Sequence, residues 1–528
     1  MTGGLRASLQ ECSLIGDVIA RNAAMYSHKP ALIDLDGASV TFSEFGRHVG
    51  GLTSALRGLG LGKGSRVAII SRNRVEYLEA VCVSASGLIA LPLNWRLSPR
   101  EIAAILEDSN PGAVISSSEF APMIDDIFSG SHRPHLICFD GERDGWIAYA
   151  GLADGPSRQL DIGLHPDDTA CLVYTSGTTG APKGAELSHR GLLLNCGRAV
   201  NELLGLTPED GTLAPMPFFH VGGLWYHLFP SFAAGCTTFV TADFTPADVL
   251  RIIAERRITN IHVVPAMLHA LISHPDVASL DMSSLRLVFY GASTIPLSVL
   301  KGAMTAFASS GFVQGYGSTE AGMVTYLSPE AHRAAVSSPP LGARLLSCGR
   351  SFSNVEVRLS EGEVGEFLVR SPMTMSGYWR NPDATARAIS NGWLATGDLG
   401  RIDDDGYCYI LDRKSDMIVS GGENVYPREV EDVLREHPDV AEVAIFDLPD
   451  DRWVQKVATA IVLRAGASGR TEEIVTFARE RLAHYKCPKE VFFVEILPRN
   501  GAGKVLRKEL RIKFSKARST GIEENRDG

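Results

Sequence analysis

The stretch CLVYTSGTTGAPKG, Cys171 to Gly184, sets a short apolar run against a loop rich in glycine and hydroxyl side chains. The first five residues are β-branched and aromatic enough to form a buried strand. The remainder has the makings of a phosphate cradle. Ser176, Thr178 and Thr179 bring hydroxyls, Gly177, Gly180 and Gly184 let the backbone wrap an oxyanion, and Lys183 adds a point charge. It is not a Walker-type loop: Lys183 is followed by Gly184 rather than by a Ser or Thr opening a helix, and Pro182 has no N–H to give a phosphate.

Working outward, the same texture recurs. VAII (Val67 to Ile70), LPLN (Leu91 to Asn94), IHVVP (Ile261 to Pro265) and LRLVFYG (Leu285 to Gly291) are short apolar runs that alternate with helical segments. Ser98-Pro99-Arg100-Glu101 is a capping box with proline at the first helical position, so a helix should start there. Strand, helix, strand at this spacing predicts βαβ units and a largely parallel sheet. Near residue 412 the texture changes to that of a compact α+β unit. It holds a helix over Arg428 to Glu436, the runs VAEVAIFDL and KVATAIVL, a helix from Thr471 to Ala483, and EVFFVEIL. The tail after Ile512 is polar and reads as loose.

Composition narrows the classes. With 528 residues, 45% of them hydrophobic, the chain can bury more than one core. No run approaches the ~20 apolar residues of a membrane span, and the N-terminus has no sustained apolar segment of the kind that directs secretion. A net charge of −10 argues against a nucleic-acid partner. The nine cysteines are scattered without a C-x-x-C pair, which suggests reduced thiols in a cytoplasmic protein rather than a zinc site or disulfide framework.

Further motifs succeed the glycine loop in order: PFFHVGG from Pro217, GYGSTE from Gly315, TGDLG from Thr396, DRKSDMIVSGGENVYPREVE from Asp412, and PRNGAGKVLRKEL from Pro498. Together they resemble the adenylate-forming superfamily, and within it the AMP-forming acyl-CoA synthetases; the resemblance runs from about residue 28 to 511. It implies a large N-terminal domain of parallel and mixed sheets with helices (1–411), a hinge (412–416) centred on Ser415, and a small mobile α+β C-terminal domain (417–528). It also implies the reaction: a carboxylate and ATP give acyl-AMP and pyrophosphate, then coenzyme A displaces AMP. The glycine loop would grip the departing β- and γ-phosphates, which explains the missing Walker ending.

The resemblance also assigns residues. Thr175, Lys183, Glu320 and Lys504 are the expected catalytic groups, with Thr175 and Glu320 at Mg²⁺. One acid suffices because magnesium takes few protein carboxylates when phosphates supply the remaining oxygens. Adenine and phosphates would meet Ser176 to Gly180, Gly291, Ala292, Ser293, Gly315, Tyr316, Gly317, Ser318 and Thr319, with Asp398 and Arg413 on the ribose hydroxyls. Lys504 would stabilise charge developing between the carboxylate and the α-phosphate, and preorganised stabilisation of this kind is often what contributes most to catalysis. Ser420, Gly421, Gly422 and Glu423 would border the pantetheine arm of coenzyme A.

Phe219, His220, Leu224, Trp225, Tyr290, Gly291, Gly315, Thr319, Ala321 and Met323 are the expected walls of the acyl pocket. They include no Arg or Lys to pair a second carboxylate, and FFHVGG holds no acid for an amino group, so an apolar monocarboxylate is expected: a fatty, aryl or polycyclic side-chain acid. The alternative is a stand-alone acyl-AMP ligase that passes its acyl group to a carrier protein. Partners are otherwise small molecules, with a homodimer expected by analogy and no stable membrane insertion.

Overall fold

Alternation along a few strands explains how this chain builds its layers. In Arg66–Ile70, Val67 and Ile69 face one core while Ala68 and Ile70 face another; in Leu287–Gly291, Leu287 and Phe289 face the first while Val288 and Tyr290 face a third. Strands buried on both faces read as continuous apolar runs, as parallel strands covered by helices must. The computed structural model describes residues 9–35, 37–130, 133–157, 162–175, 182–414, 416–420, 423–450, 453–499 and 505–519.

The chain divides into two compact units, Met1–Arg358 with Leu368–Thr396, and Leu359–Phe367 with Gly397–Gly528. The first contains a nine-stranded and a seven-stranded sheet. Leu287–Gly291, Asn260–Val263, Gly211–Ala214 and Thr237–Val240 run parallel in the centre of the nine-stranded sheet. Arg66–Ile70 and Ile89–Pro92 do so in the seven-stranded one. Between the sheets lies the largest core, which also takes in the helices Ile15–Met25, Phe42–Gly58 and His189–Arg198. Helices Pro246–Arg256 and Pro265–Ser273 cover the outer face of one sheet and Pro99–Ser109 that of the other. The Ser98 hydroxyl caps Pro99–Ser109 at the Glu101 N–H, and the Glu101 carboxylate returns to the Ser98 N–H at 2.8 Å, the reciprocal box that its spelling predicts.

In the second unit, Val440–Asp450 and Val454–Leu463 form a long antiparallel pair, joined by Ile418–Ser420, Glu423–Val425 and Glu490–Phe493. The helix Pro427–Arg435 packs its buried Val430 and Leu434 against this sheet. The tail corrects an expectation. Over residues 513–519 it is not loose, because the helix Arg507–Ser519 continues past Ile512; the rest of the tail lies outside the described residues. Phe514 is the reason: its ring stacks on Phe492 at 3.9 Å and packs on Phe446 at 5.8 Å, long-range contacts that outweigh a polar composition.

Candidate active site

Thr169–Thr175 and Lys183–Ser188 are antiparallel, with Thr175 opposite Lys183, so the glycine loop is the connection between two paired strands. The loop residues Ser176, Gly177, Thr178, Thr179 and Gly180 lie outside the described residues. At its root the geometry is explicit. The Thr175 hydroxyl donates to Glu320 Oε1 at 2.9 Å, and the Tyr378 hydroxyl donates to the same oxygen at 3.1 Å. Lys183 Nζ stands 5.3 Å from the centre of the Tyr378 ring. Tyr378 reaches this position because its strand-like segment bridges Ala185, with Glu186 N–H donating to Gly377 O and Trp379 N–H to Gly184 O. Burial, then the adjacent Glu320 carboxylate, pushes the Tyr378 phenol well above its usual range, so it stays a donor. Sequence reasoning missed Tyr378; its only local signal is the GYW run, which says nothing of its partner.

GYGSTE folds as a hairpin. Gly311–Ser318 pairs with Gly322–Leu327, Ser318 faces Gly322, and Thr319, Glu320 and Ala321 form a three-residue tip closed by Gly322 at φ 73°. Glu320 therefore sits at the apex of a strand pair rather than on a loose turn. Beside the hairpin, Gly291 pairs with Gly315, and a Cβ on Gly291 would stand 2.6 Å from the Gly315 carbonyl oxygen. That leaves bare backbone beside the half-buried Tyr316. Immediately after Gly291, Ala292 adopts φ 66°, a strained conformation for a residue with a Cβ, and Ala292 and Ser293 are exposed. Gly317 and Ser318 continue the strand, with Ser318 O accepting from Tyr226 OH at 2.8 Å.

On the other side of the tip lies a narrow cleft. Leu187, Leu192, Val221, Trp225 and Met373 line it together with Thr319, and none of its lining residues is charged. Trp225 and Tyr226 belong to a π-helical turn, Leu224–Leu228, of the kind that recurs at functional sites. Asn195, another lining residue, ties this turn to the hairpin: its Nδ2 donates to Trp225 O at 3.3 Å and its Oδ1 accepts from Met323 N–H at 3.0 Å. Leu224, Ala321 and Met323 are buried in the same core as Trp225. The Phe219 and His220 rings lie 4.9 Å apart at a tilt of 43°, and the His220 Nε2 is buried with no protein partner. Burial, aided by the Arg96 charge, holds the His220 imidazole down to about 4, so it is neutral at ordinary pH. Tyr290 goes elsewhere: its side chain lies in the core on the opposite face of its strand, with its hydroxyl 2.8 Å from His332 Nε2.

In the second unit, Asp398 and Arg413 face each other across the antiparallel pair Trp393–Ile402 and Cys408–Arg413, with Arg413 Nε 2.7 Å from Asp398 Oδ1. Fifteen residues of sequence thus close into one ion pair. The hinge residue Ser415 lies outside the described residues, as do Gly421, Gly422 and Lys504. Their flanks are defined. Ser420 pairs with Glu423; the Ser420 hydroxyl is buried without a protein partner, and Glu423 is exposed. Arg499 bridges Val505 at the base of the segment that holds Lys504. Two residues on, Arg507, whose side chain is 13% exposed, pairs with Glu431 at 2.7 Å and Asp416 at 3.1 Å.

Among the described residues no group of three or more His, Cys, Asp or Glu is placed to enclose a metal ion. A lone carboxylate beside a hydroxyl fits a hard cation that draws its other oxygens from phosphates and water, and Glu320 with Thr175 is such a pair. None of the nine cysteines is in a disulfide. No described helix is long and apolar enough to cross a membrane.

Comparison with known proteins agrees with this geometry. A family model described as AMP-binding enzyme matches residues 19–379, and one described as AMP-binding enzyme C-terminal domain matches residues 429–504. A feruloyl-CoA synthase from Amycolatopsis sp is 35% identical over 95% of this chain and 99% of its own. The fatty acid–[acyl-carrier-protein] ligase ScoC from Streptomyces coeruleorubidus is 35% identical over 92% of this chain and 93% of its own. Among solved structures, the anthranilate CoA ligase AuaEII in complex with anthranoyl-AMP superimposes with a TM-score of 0.86 at 26% identity, covering 97% of this chain and 100% of that one.

Proposed function

Given that this chain belongs to the AMP-binding enzyme family and is an AMP-forming ligase using ATP and coenzyme A, we propose that it activates an apolar monocarboxylic acid. The acid is a fatty, aryl or polycyclic side-chain acid. Its carboxylate oxygen attacks the α-phosphorus of ATP, the bond to the β-phosphate breaks, and pyrophosphate leaves. The thiol of coenzyme A then attacks the acyl carbon, AMP leaves, and the thiol proton passes to solvent.

One observation carries the reading: both halves of the chemistry meet on one hairpin tip. Glu320 faces Thr175 and the root of the glycine loop, while its neighbour Thr319 lines the uncharged cleft. Mg²⁺, held by Glu320 and Thr175, would neutralise charge on the phosphates. Gly291, Ala292, Ser293, Gly315, Tyr316, Gly317 and Ser318 offer the adenine side, and Asp398 with Arg413 holds the ribose hydroxyls. Lys504 steadies the adenylation step after movement about Ser415, and residues 420–423 border the thiol. A second carboxylate in the cleft would lie unpaired at high cost, which disfavours dicarboxylates. Nine cysteines without a disulfide fit a cytoplasmic setting. Transfer to a carrier protein is the second reading, and the likeness to ScoC favours it.

The test is AMP release across C2 to C16 acids, benzoates, cinnamates and steroid side-chain acids, each with and without coenzyme A. The expected result is one preferred apolar class whose AMP release requires coenzyme A. Pyrophosphate release indifferent to coenzyme A would favour the carrier protein instead, and a preference for dicarboxylates would overturn the substrate class.

A further inference from the structure

Asp398 and Arg413 sit where a strand pair ends, and a pair at a ladder's end needs something to hold its register. We infer that Glu366 is the positioning residue that fixes the ribose-binding pair, which rests on the proposed role of Asp398 and Arg413 at the ribose. Glu366 lies on the strand Gly365–Arg370, and its side chain is only 12% exposed. Its two carboxylate oxygens reach the two residues that flank the pair. Oε1 accepts the Gly397 N–H at 2.9 Å, and Oε2 accepts Lys414 Nζ at 2.9 Å. Gly397 immediately precedes Asp398, and Lys414 immediately follows Arg413. The Lys414 N–H closes the frame by donating to Gly397 O at 2.8 Å.

The two contacts are not equal. Gly397 sits at φ 75°, the left-handed region that glycine adopts freely, so the chain turns sharply just before Asp398. A backbone N–H turned out of its ladder at such a point needs an acceptor, and a carboxylate supplies a strong one. Lys414 is 62% exposed, so its ion pair is of the weak, screened kind. Glu366 thus acts chiefly by holding the turn that aims the Asp398 carboxylate, with Arg413 carried along through its ion pair.

The experiment compares equilibrium binding of AMP and of 2′,3′-dideoxy-AMP to the wild-type protein and to Glu366→Ala. Wild type should bind the dideoxy analogue more weakly, because Asp398 and Arg413 then have no hydroxyls to hold. Glu366→Ala should weaken AMP roughly tenfold, the scale of one lost hydrogen bond to a charged group, and leave the dideoxy analogue nearly unchanged. A merely structural lesion would weaken both ligands alike, and that outcome overturns the inference. If wild type does not distinguish the two ligands, the ribose role itself fails and takes this inference with it. If Glu366→Ala does not fold, Glu366→Gln carries the test. It keeps an acceptor for Gly397 and loses only the Lys414 charge, so AMP alone should weaken by about twofold, the scale of an exposed ion pair; an equal loss on both ligands again overturns it.

Discussion

At the scale of the residue, the site turns on one carboxylate oxygen that receives two hydroxyls. If Glu320 holds the metal as proposed and Tyr378 only orients it, their substitutions should differ in size. Glu320→Gln should slow pyrophosphate release by ~10²–10³-fold, the usual cost of a preorganised electrostatic group. Tyr378→Phe should cost roughly 10-fold, since one hydrogen bond to a charged group is worth about 1.5 kcal/mol. Equal losses in the two variants, with unchanged melting, would reverse those roles. Thr175 and Glu320 were legible because each belongs to a spelled motif. Tyr378 was not: its place depends on a bridge to Ala185 that no local pattern announces. Asp398 and Arg413 fell between these cases. Their motifs named them, but only the strand register brings them to 2.7 Å.

At the scale of the element, strands buried on both faces were the readable part, because a short apolar run ending at glycine or proline fits few structures besides a covered strand. LRLVFYG became Leu287–Gly291 and CLVYT became the end of Thr169–Thr175. The π-helical turn at Leu224–Leu228 had no signature, since its sequence is as apolar as an ordinary buried helix. Nor did the final helix, whose polar residues conceal one decisive aromatic. Phe514→Ala should therefore cost about 3 kcal/mol locally, as other large-to-small core changes do. Hydrogen exchange should then show Arg507–Ser519 losing protection while the strands of the first unit keep theirs. Unchanged protection of that helix would mean that its own propensity, and not the stack on Phe492, holds it.

At the scale of the whole molecule, buried histidines set the acid limit. Burial holds His189, His220, His227 and His332 down to about 4, against an ordinary value of 6.5, and holds His262 well below that ordinary value too. Between those values the unfolded chain binds protons that the folded one refuses, so stability is lost as pH falls from 6.5 towards 4. Each fully shifted group contributes up to ~1.4 kcal/mol per pH unit in that window. Glu79, Glu186, Asp412 and Asp432, whose carboxyls burial raises, and His48, whose imidazole the bond to Glu79 raises, act in the opposite direction. The melting temperature should drop steadily from pH 6.5 to 4.5; a flat or rising trace would show that these imidazoles are not kept neutral in the folded state. Asn195 has a consequence on the same scale. Its single amide is the peg from which both the Trp225 wall and the Met323 side of the hairpin hang. On the proposed function, a lineage that changes its acid by moving that wall also shifts the hairpin that carries Glu320. Selectivity and turnover are therefore heritable together at this position, and a library meant to change one without the other would do better to vary Leu187 and Leu192.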